Sequence, residues 1–342
     1  MSNVIAIFDT SYGSLNLGDF IIMEAINNLL DDIIENPEVY VVRVPTHMNI
    51  SKNYYEILRR SRLKILCGTN LFHLYYIPFA KFNSWKISFT QLNSLKNILL
   101  FGVGTSILGD NMSFKKKVKE IVGTPYSKFM WKKLLVKESN LCHSVRDMES
   151  FNILKELGFN NVLNTGCPTL WGLDEDHCNY IPTHRGESVV VTFTDYNKQL
   201  PQDEKMLKII GKYYKKVYIW PQGSEDYKYI TELLSLTRIN AEILPATLKS
   251  FDEILSVNDN IDYIGTRLHG GIRALQHKKR SIIIAVDNRA LSFGRDFNLP
   301  IIDRNNIEEL EEIINTQFQI NIKLDKKAIE LFKNSLRIYV NS

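Results

Sequence analysis

Short apolar runs rich in β-branched residues alternate with longer stretches of helical periodicity along almost the whole chain. Between the runs, apolar residues recur three and four positions apart, as at Ile22, Ile26 and Leu29, which marks one face of a helix. Apolar strands separated by helices are typical of parallel sheets covered on both faces. The runs that predict strands are residues 4–8, 39–44, 63–67, 97–102, 141–145, 161–165, 189–194, 216–220, 241–244, 261–265 and 281–286.

The chain is long enough for two domains. Its 342 residues exceed the size at which a single hydrophobic core usually stops growing. A polar, turn-rich stretch without periodicity, residues 172–188, indicates the boundary. We therefore predict an α/β fold of two doubly wound, Rossmann-like domains facing each other, residues 1–175 and residues 176–342. The second domain ends in an amphipathic closing helix over residues 325–340, and packing of this helix back across the first domain is an alternative. Ligands of such sheets bind outside the carboxyl ends of the strands.

Composition narrows the class of protein. The hydrophobic fraction of 44% and the charged fraction of 23% are those of an ordinary globular protein. A net charge of +4 is too small to indicate nucleic-acid binding, but it fits anionic substrates or an anionic membrane surface. No tract reaches the ~18 apolar residues of a membrane span. The chain begins on a strand with Asp9 close behind, so we expect no signal peptide.

Cysteine and acidic residues give no sign of a metal or a disulfide framework. The four cysteines are scattered without CxxC pairs, which fits reduced thiols in the cytoplasm. The acidic turn at residues 173–176 is the one candidate for a cation, and acidic turns are common without one. We expect no bound metal.

The first candidate for chemistry follows the first strand. Gly13, Asn16 and Gly18 precede Asp19 where a helix is expected to start. Glycines there let backbone N–H groups approach a ligand, and a helix N-terminus attracts anions. Asp19 fits two roles, a helix N-cap or a functional carboxylate.

The second candidate is the sequence "SVRDMES" at residues 144–150. Arg146 and Asp147 lie where a strand ends and a helix begins, and Asp147 is predicted to cap that helix with Ser150 in its first turn. A guanidinium at the carboxyl edge of a sheet can bind a carboxylate or phosphate with two parallel hydrogen bonds. A structural salt bridge with a nearby acid is the alternative.

The third candidate is "GTRLHGG" at residues 265–271. Arg267 and His269 alternate with Leu268, so in an extended segment their side chains would point to the same side. A cation and a titratable imidazole would then serve an anionic substrate that needs a proton donor. Gly270 and Gly271 would allow tight packing at the start of the next helix. The alternative is a histidine bonded to a carbonyl within the turn.

Four motifs in this order resemble the polysaccharide pyruvyl transferase family. They are an N-terminal strand followed by "NLGD" at 16–19, "FGVGTS" at 101–106, "SVRDMES" at 144–150, and "GTRLHGGIRALQHKKRSIIIAVD" at 265–287. The resemblance implies a fold similar to that of two-domain glycosyltransferases of the B type. It also implies transfer of pyruvate from phosphoenolpyruvate to sugar hydroxyls, usually as a cyclic ketal, with phosphoenolpyruvate as co-substrate and no cofactor.

The resemblance also assigns roles to residues. Arg267, Leu268 and His269 would contact phosphoenolpyruvate, and Arg146 would be a second cationic anchor. We hypothesise that His269 is the general acid and that Asp19 orients or deprotonates the sugar hydroxyl. The expected substrate-binding set is completed by Gly270, Gly271, Asn16, Gly18 and Gly104.

The chain departs from the family pattern in two places. An aspartate that the family commonly carries in an Asp-Pro pair is replaced by Cys167 before Pro168. The glycine-rich turn after the third strand is reduced to "CGTN" at residues 67–70.

Two segments bear on the acceptor. Residues 71–89 are dense in aromatic residues, which suits either stacking on sugar rings or packing in a core or subunit contact. Residues 114–139 hold eight lysines among aromatic and aliphatic residues. Such a helix can lie on anionic lipid, which would suit a lipid-linked acceptor and a peripheral position at the inner face of the membrane. The alternative is a solvated lysine face over a packed stripe.

Two other functions stay open from the sequence. A glycosyltransferase of the B type would place the diphosphate of a nucleotide sugar at residues 269–271. A noncatalytic carbohydrate-binding relative is the other, because a fold does not fix a function.

Overall fold

The structure is a computed structural model, and it describes residues 3–78, 84–87, 89–105 and 114–342, with side chains from residue 121 onward in the last range. The chain forms two compact units. The first comprises Met1–Ser14, Ile22–Pro168 and Asp325–Ser342, and the second comprises Leu15–Ile21 and Thr169–Leu324. The division differs from the predicted one, because the boundary follows Pro168, the C-terminal helix groups with the first unit, and the short segment from Leu15 groups with the second.

Strands and helices alternate as the hydrophobic pattern predicts. The strands are β1 Val4–Asp9, β2 Tyr40–Pro45, β3 Leu63–Cys67, β4 Ile98–Phe101, β5 His143–Val145, β6 Val162–Asn164, β7 Ser188–Thr192, β8 Lys216–Ile219, β9 Glu242–Ile243, β10 Ile261–Gly265, β11 Ser281–Ala285 and β12 Ile301–Asp303. The helices are α1 Leu17–Ile33, α2 Lys52–Arg60, α3 Phe114–Leu134, α4 Met148–Glu156, α5 Glu175–Asn179, α6 Leu200–Tyr213, α7 Asp226–Thr237, α8 Leu248–Val257, α9 Leu268–Gln276, α10 Asn288–Phe297, α11 Glu309–Asn315 and α12 Lys326–Asn341.

The first unit is built on parallel strands. Its main sheet has the order β2-β1-β3-β4, and β5 pairs with β6 in a second, two-stranded parallel sheet. A parallel bridge between Val103 and Val145 sets β5 beside the chain leaving β4. Strands β3 and β4 are buried along their whole length, which explains why their sequences are apolar except for the buried Lys64.

The second unit is a six-stranded parallel sheet in the order β12-β11-β10-β7-β8-β9. When its strands are counted from β7, this is the order 3-2-1-4-5-6 of the doubly wound fold. The connection after β7 leads to β8 on one side, and the connection after β10 leads to β11 on the other side. A crevice is therefore expected where the carboxyl ends of β7 and β10 lie side by side. The predicted α/β class with two Rossmann-like sheets is therefore confirmed.

Each unit has its own hydrophobic core. In the first, Phe8 packs edge-on against Trp85 at a centroid distance of 5.2 Å, and Trp85 stacks on Trp131 at 5.8 Å. In the second, buried Val191 and Ile264 from adjacent strands pack with the inner faces of the covering helices. None of the helices within the described ranges combines the length and apolar content that crossing a membrane would need.

His143 on β5 makes the stability of the first unit sensitive to acid. Its ring is fully buried, Nδ1 accepts the Leu100 N–H at 3.2 Å, and Nε2 lies 2.8 Å from the Val136 carbonyl oxygen. These contacts hold the neutral ring with its proton on Nε2. Burial lowers the pKa of His143 from 6.5 to about 4.

We expect the free energy of unfolding to fall as the pH drops from 6.5 toward 4. In that window the unfolded histidine binds a proton that the folded one excludes, so stability present above pH 6.5 is lost. At 1.36 kcal/mol per pKa unit, the lost stability reaches about 3 kcal/mol. Urea unfolding across this range should show a steeper decline for the natural protein than for His143→Gln, and equal slopes would contradict the assignment.

Candidate functional site

The turn from β10 into α9 is fixed by a chain of hydrogen bonds. The Arg267 N–H donates to Thr192 Oγ1 at 3.3 Å, and the Tyr263 hydroxyl donates to the Arg267 carbonyl oxygen at 2.7 Å. Tyr263 Oη also lies 2.6 Å from Thr192 Oγ1. The turn is thereby tied to the end of β7, at the predicted crevice.

Helix α9 begins at once after Arg267. Leu268 is its first residue, Arg267 precedes it in an extended conformation, and His269 lies in the first turn. The segment is therefore not extended through His269, and the expected alternation of Arg267 and His269 is wrong. The physical reason is that the helix has already begun at Leu268, since the Gly271 N–H donates to the Arg267 carbonyl oxygen at 3.1 Å.

The two glycines of the motif pack as predicted. A Cβ at Gly271 would lie 2.7 Å from Ile283 Cδ1, and one at Gly270 would lie 2.9 Å from Tyr263 Oη. Both distances are too short for a side chain. Helix α9 can approach the sheet only because these positions carry no Cβ.

Arg267 is held by carboxylates. Its Nε donates to Asp226 Oδ2 at 3.0 Å and its Nη2 to Asp195 Oδ1 at 2.8 Å, with a further bond from Nη2 to Asp226 Oδ1. The side chains of Arg267 and Asp226 are 5% and 0% exposed. Burial raises the pKa of Asp226, and the guanidinium opposes that rise.

Asp226 also organises the loop around this ion pair. Its Oδ2 accepts the N–H groups of Gln222 at 3.1 Å and Gly223 at 2.7 Å, and its Oδ1 accepts the Asp195 N–H at 2.9 Å. The loops after β7 and β8 thus converge on one carboxylate. A buried carboxylate with several N–H donors and a guanidinium is well compensated for its loss of water.

Tyr196 and Arg289 extend this cluster. The guanidinium carbon atoms of Arg267 and Arg289 lie over the Tyr196 ring, 5.3 Å and 5.6 Å from its centroid. Arg289 Nη2 donates to Tyr196 Oη at 3.1 Å, and its Nε donates to Asp287 Oδ2 at 2.9 Å. Arg289 therefore brings a second, partly exposed cation to the carboxyl edge of this sheet.

The segment from Leu15 joins the same loop. Asn16 forms an antiparallel bridge with Gly223, and its Oδ1 accepts the Gly18 N–H at 3.1 Å and Gln222 Nε2 at 2.8 Å. Helix α1 starts at Leu17. Asp19 is therefore the third helical residue and not the N-cap, so the capping alternative for Asp19 is wrong. Its side chain is buried, with the residue 8% exposed.

Arg146 lies in the first unit, directly after β5. It is 4% exposed, and its Nη2 donates to Asn70 Oδ1. Asp147 caps α4 by accepting the Ser150 N–H at 2.7 Å, which confirms the predicted cap. The "CGTN" turn thus supplies a partner of Arg146, and Thr69 within it has a positive φ of 50°.

Gly104 has a steric role beside Arg146. A Cβ there would overlap Arg146 Nε and lie 2.7 Å from Asp147 Oδ2. We expect Gly104→Ala to lower the free energy of unfolding by about 1–3 kcal/mol, because the guanidinium and the capping carboxylate would both have to move. Gly172→Ala is the matched control, since nothing lies within 4 Å of its Cβ position. Equal stabilities of the two variants in urea would contradict this role.

Part of the aromatic segment at residues 71–89 packs in the core, whereas Phe89 at its end is 52% exposed. Phe72, Tyr76 and Trp85 are at most 1% exposed. Packing is therefore the role of these three rings, and they present no face to a sugar. Phe79 and Phe82 lie outside the described residues.

The structure brings together Arg267, His269, Gly270, Gly271, Asn16, Gly18 and Asp19 in the second unit, and Arg146 and Gly104 in the first. Sequence reasoning missed Asp195, Tyr196, Gln222, Asp226 and Arg289. Their signal was the polar sequence following each of three strands, "TDYN" after β7, "PQGSED" after β8 and "DNR" after β11.

The site contains no sign of a metal centre in the part of the chain that the structure describes, where no group of three histidine, cysteine or acidic residues could hold one. Cys167, which replaces the expected aspartate, is buried. None of the four cysteines is in a disulfide.

Comparison with known proteins identifies one family. The model of the family described as "Polysaccharide pyruvyl transferase" matches residues 16–288. A search of curated protein sequences gave no significant match.

Several solved structures are similar to the chain at low identity. The UDP-GlcNAc 2-epimerase from Neisseria meningitidis has a TM-score of 0.45 at 12% identity, covering 98% of both chains. The O-GlcNAc transferase of Thermobaculum terrenum has a TM-score of 0.46 at 10% identity, covering 98% of this chain and 63% of that one. The wall teichoic acid polymerase TagF has a TM-score of 0.42 at 13% identity, covering 99% and 83%. The fold class rests on the order of the strands and not on these scores.

Proposed function

Because the chain belongs to the polysaccharide pyruvyl transferase family, we propose that it moves pyruvate from phosphoenolpyruvate to a sugar of a polysaccharide or of its lipid-linked precursor, forming a cyclic ketal. The family match over residues 16–288 carries this proposal, since it includes the residues at both strand edges described above. Cysteines that form no disulfide fit a reaction in the cytoplasm, where thiols stay reduced.

The chemistry defines what the site must do. A proton adds to the methylene carbon of phosphoenolpyruvate, and a sugar hydroxyl attacks C2. The C2–O bond to phosphate then breaks, and a second hydroxyl of the same sugar closes the ketal. Of the two hydroxyl protons, one is balanced by the proton gained by carbon and the other leaves with phosphate. The site therefore needs a proton donor, a proton acceptor and a binding place for an anion.

We assign the donor site to the start of α9. The phosphate of phosphoenolpyruvate would lie on the first-turn N–H groups of Leu268, His269 and Gly270, because a helix N-terminus stabilises an anion. His269 would donate the proton to carbon. Gly271 would keep the helix close to the sheet, so that these N–H groups stay at its carboxyl edge.

Arg267 would act mainly by positioning. Its guanidinium is already engaged by Asp226 and Asp195, so it is less available as a two-pronged clamp than the sequence suggested. By locking the loops after β7 and β8 against the turn, it would fix the start of α9. Its remaining positive field, with that of Arg289, would attract the anionic donor.

The other predicted residues would serve the substrates from their own units. Asp19 would orient or deprotonate the sugar hydroxyl, with Asn16 and Gly18 shaping the loop that carries it. Arg146 would be the substrate-binding cation of the first unit, with Gly104 making room for its side chain.

The direct test is to incubate the full chain with phosphoenolpyruvate and a panel of soluble glycans. We expect sugar-dependent phosphate release, and a glycan heavier by pyruvic acid less one water. In D₂O the ketal methyl group should carry one deuterium, because carbon is protonated from solvent through the enzyme.

Two results would overturn the proposal. The first is absence of phosphate release and of heavier product with every glycan of the panel. The second is stabilisation of the protein against heating by uridine diphosphate but not by phosphoenolpyruvate, which would indicate a nucleotide-sugar donor.

A further inference from the structure

Helix α3 exposes apolar side chains on one face. Ile121, Val122 and Phe129 are 73%, 60% and 50% exposed, and Pro125 between them is exposed as well. Large apolar residues that are exposed singly need no explanation, but four on one face of two helical turns are unusual. At 100° per residue, these positions fall within an arc of about 100°.

The opposite face anchors the helix firmly. Trp131 is fully buried, stacks on Trp85 at 5.8 Å and donates from Nε1 to the His73 carbonyl oxygen at 2.9 Å. Ser127 Oγ accepts the Tyr76 N–H at 2.8 Å. The outer face is therefore presented by a packed helix, and its exposure does not come from a loose segment.

Lysines surround the apolar face. Lys128 and Lys132 lie on the exposed side of α3, and the Lys133 ammonium lies 5.6 Å from the centroid of the Phe129 ring. Lys96 and Lys137 follow at the end of the helix, where they line a concavity of about 560 Å³ together with Lys132 and Lys133. Glu138 is the one acidic residue lining that concavity.

A second concavity continues the basic surface. It measures about 370 Å³ and shares Lys132 and Lys137 with the first. Its other lining residues are Ser139, Leu157, Gly158, Phe159, Asn160 and Asn161. Lysines and amides around a recess of this size suit the phosphate of a lipid headgroup beside the inserted side chains.

We propose that this surface binds an anionic lipid bilayer. Ile121, Val122 and Phe129 would enter the boundary between headgroups and acyl chains, and the surrounding lysines would lie against lipid phosphates. Three features together favour a bilayer over a protein partner: a narrow apolar strip, two lysine-lined concavities in which Glu138 is the one acidic lining residue, and long lysine side chains flanking the strip. The positive charge is carried by Lys96, Lys128, Lys132, Lys133 and Lys137.

The test is flotation of the full chain with vesicles. We expect binding to phosphatidylcholine vesicles that contain phosphatidylglycerol, weaker binding at high salt, and little binding to phosphatidylcholine alone. Ile121→Ser/Phe129→Ser should weaken binding at least about tenfold because the apolar insertion is lost, and Lys132→Glu/Lys137→Glu should do the same because the charge is reversed.

Matched controls come from elsewhere on the surface. Ile338→Ser removes a side chain that is 71% exposed on α12, and Lys228→Glu/Lys327→Glu reverses two exposed charges. We expect both controls to bind vesicles like the natural protein. Phosphate release with a soluble glycan should be unchanged in all four variants, so failure of this proposal is distinguishable from failure of the proposed function.

Three outcomes would overturn the membrane surface. They are absence of binding to anionic vesicles at low salt, equal binding of the α3 variants and their controls, and a shift from dimer to monomer in Ile121→Ser/Phe129→Ser without vesicle binding by the natural protein. The last would show that the face contacts a second copy of the chain.

Discussion

Replacing His269 by alanine should lower sugar-dependent phosphate release from phosphoenolpyruvate by about 10²–10⁴-fold. That is the usual contribution of a positioned general acid, the role proposed for His269. The loss should fall on kcat more than on KM, because the first-turn N–H groups of α9 that would bind phosphate remain. Steady-state kinetics with a saturating glycan acceptor measure both constants.

His277→Ala is the matched control for this experiment. His277 is the C-cap of the same helix, at the opposite end from His269, and its ring pairs with Asp252 at 3.2 Å. We expect it to keep near-natural turnover even where it lowers the melting temperature. A His269→Ala protein that turns over phosphoenolpyruvate at near the natural rate would remove this histidine from the mechanism.

The strand pattern was predictable because strands buried on both faces are mostly apolar. β3, β10 and β11 are buried along their whole length, and each is mainly apolar in sequence, with Lys64, Asp262 and Ser281 as buried polar exceptions. β12 escaped prediction because Ile301–Asp303 is too short to show a period. The grouping of Leu15–Ile21 with the second unit also escaped, since it depends on the pairing of Asn16 with Gly223, which no local pattern reveals.

The sequence pointed to Arg267 and His269 of the candidate site, but not to the residues that bind the Arg267 side chain. Arg267 and His269 stand out because a strand-to-helix turn needs neither a guanidinium nor an imidazole. The partners of Arg267 could not be found in this way, since Asp195 and Asp226 come 72 and 41 positions earlier. Asp147 was predictable as a cap because its partner, Ser150, is three residues away.

Asp226→Asn should lower the free energy of unfolding by about 3–5 kcal/mol, the usual cost of removing one member of a buried ion pair, although Asp195 still accepts from Arg267. The neutral amide would remove the negative charge beside the Arg267 side chain, which is 5% exposed. An amide nitrogen in place of Oδ2 could no longer accept the N–H groups of Gln222 and Gly223. Urea unfolding measures this loss.

The same substitution should also lower kcat/KM for phosphoenolpyruvate by about 10²-fold at a temperature where the variant is folded. The carboxylate holds three loops at the carboxyl edge of the sheet, and small displacements of a catalytic turn are costly. Arg267→Lys should reduce activity in the same direction, because an ammonium cannot make both bonds to Asp226.

Asp262→Asn separates stability from function. Asp262 forms an equally buried pair in the same unit, accepting Arg280 Nη1 at 3.0 Å and the Tyr214 hydroxyl at 2.6 Å, but it lies near the amino end of β10. We expect a similar loss of stability with near-natural kcat/KM in the folded variant. If both aspartate variants lost activity equally, the Arg267–Asp226 pair would stabilise the fold without positioning the donor site.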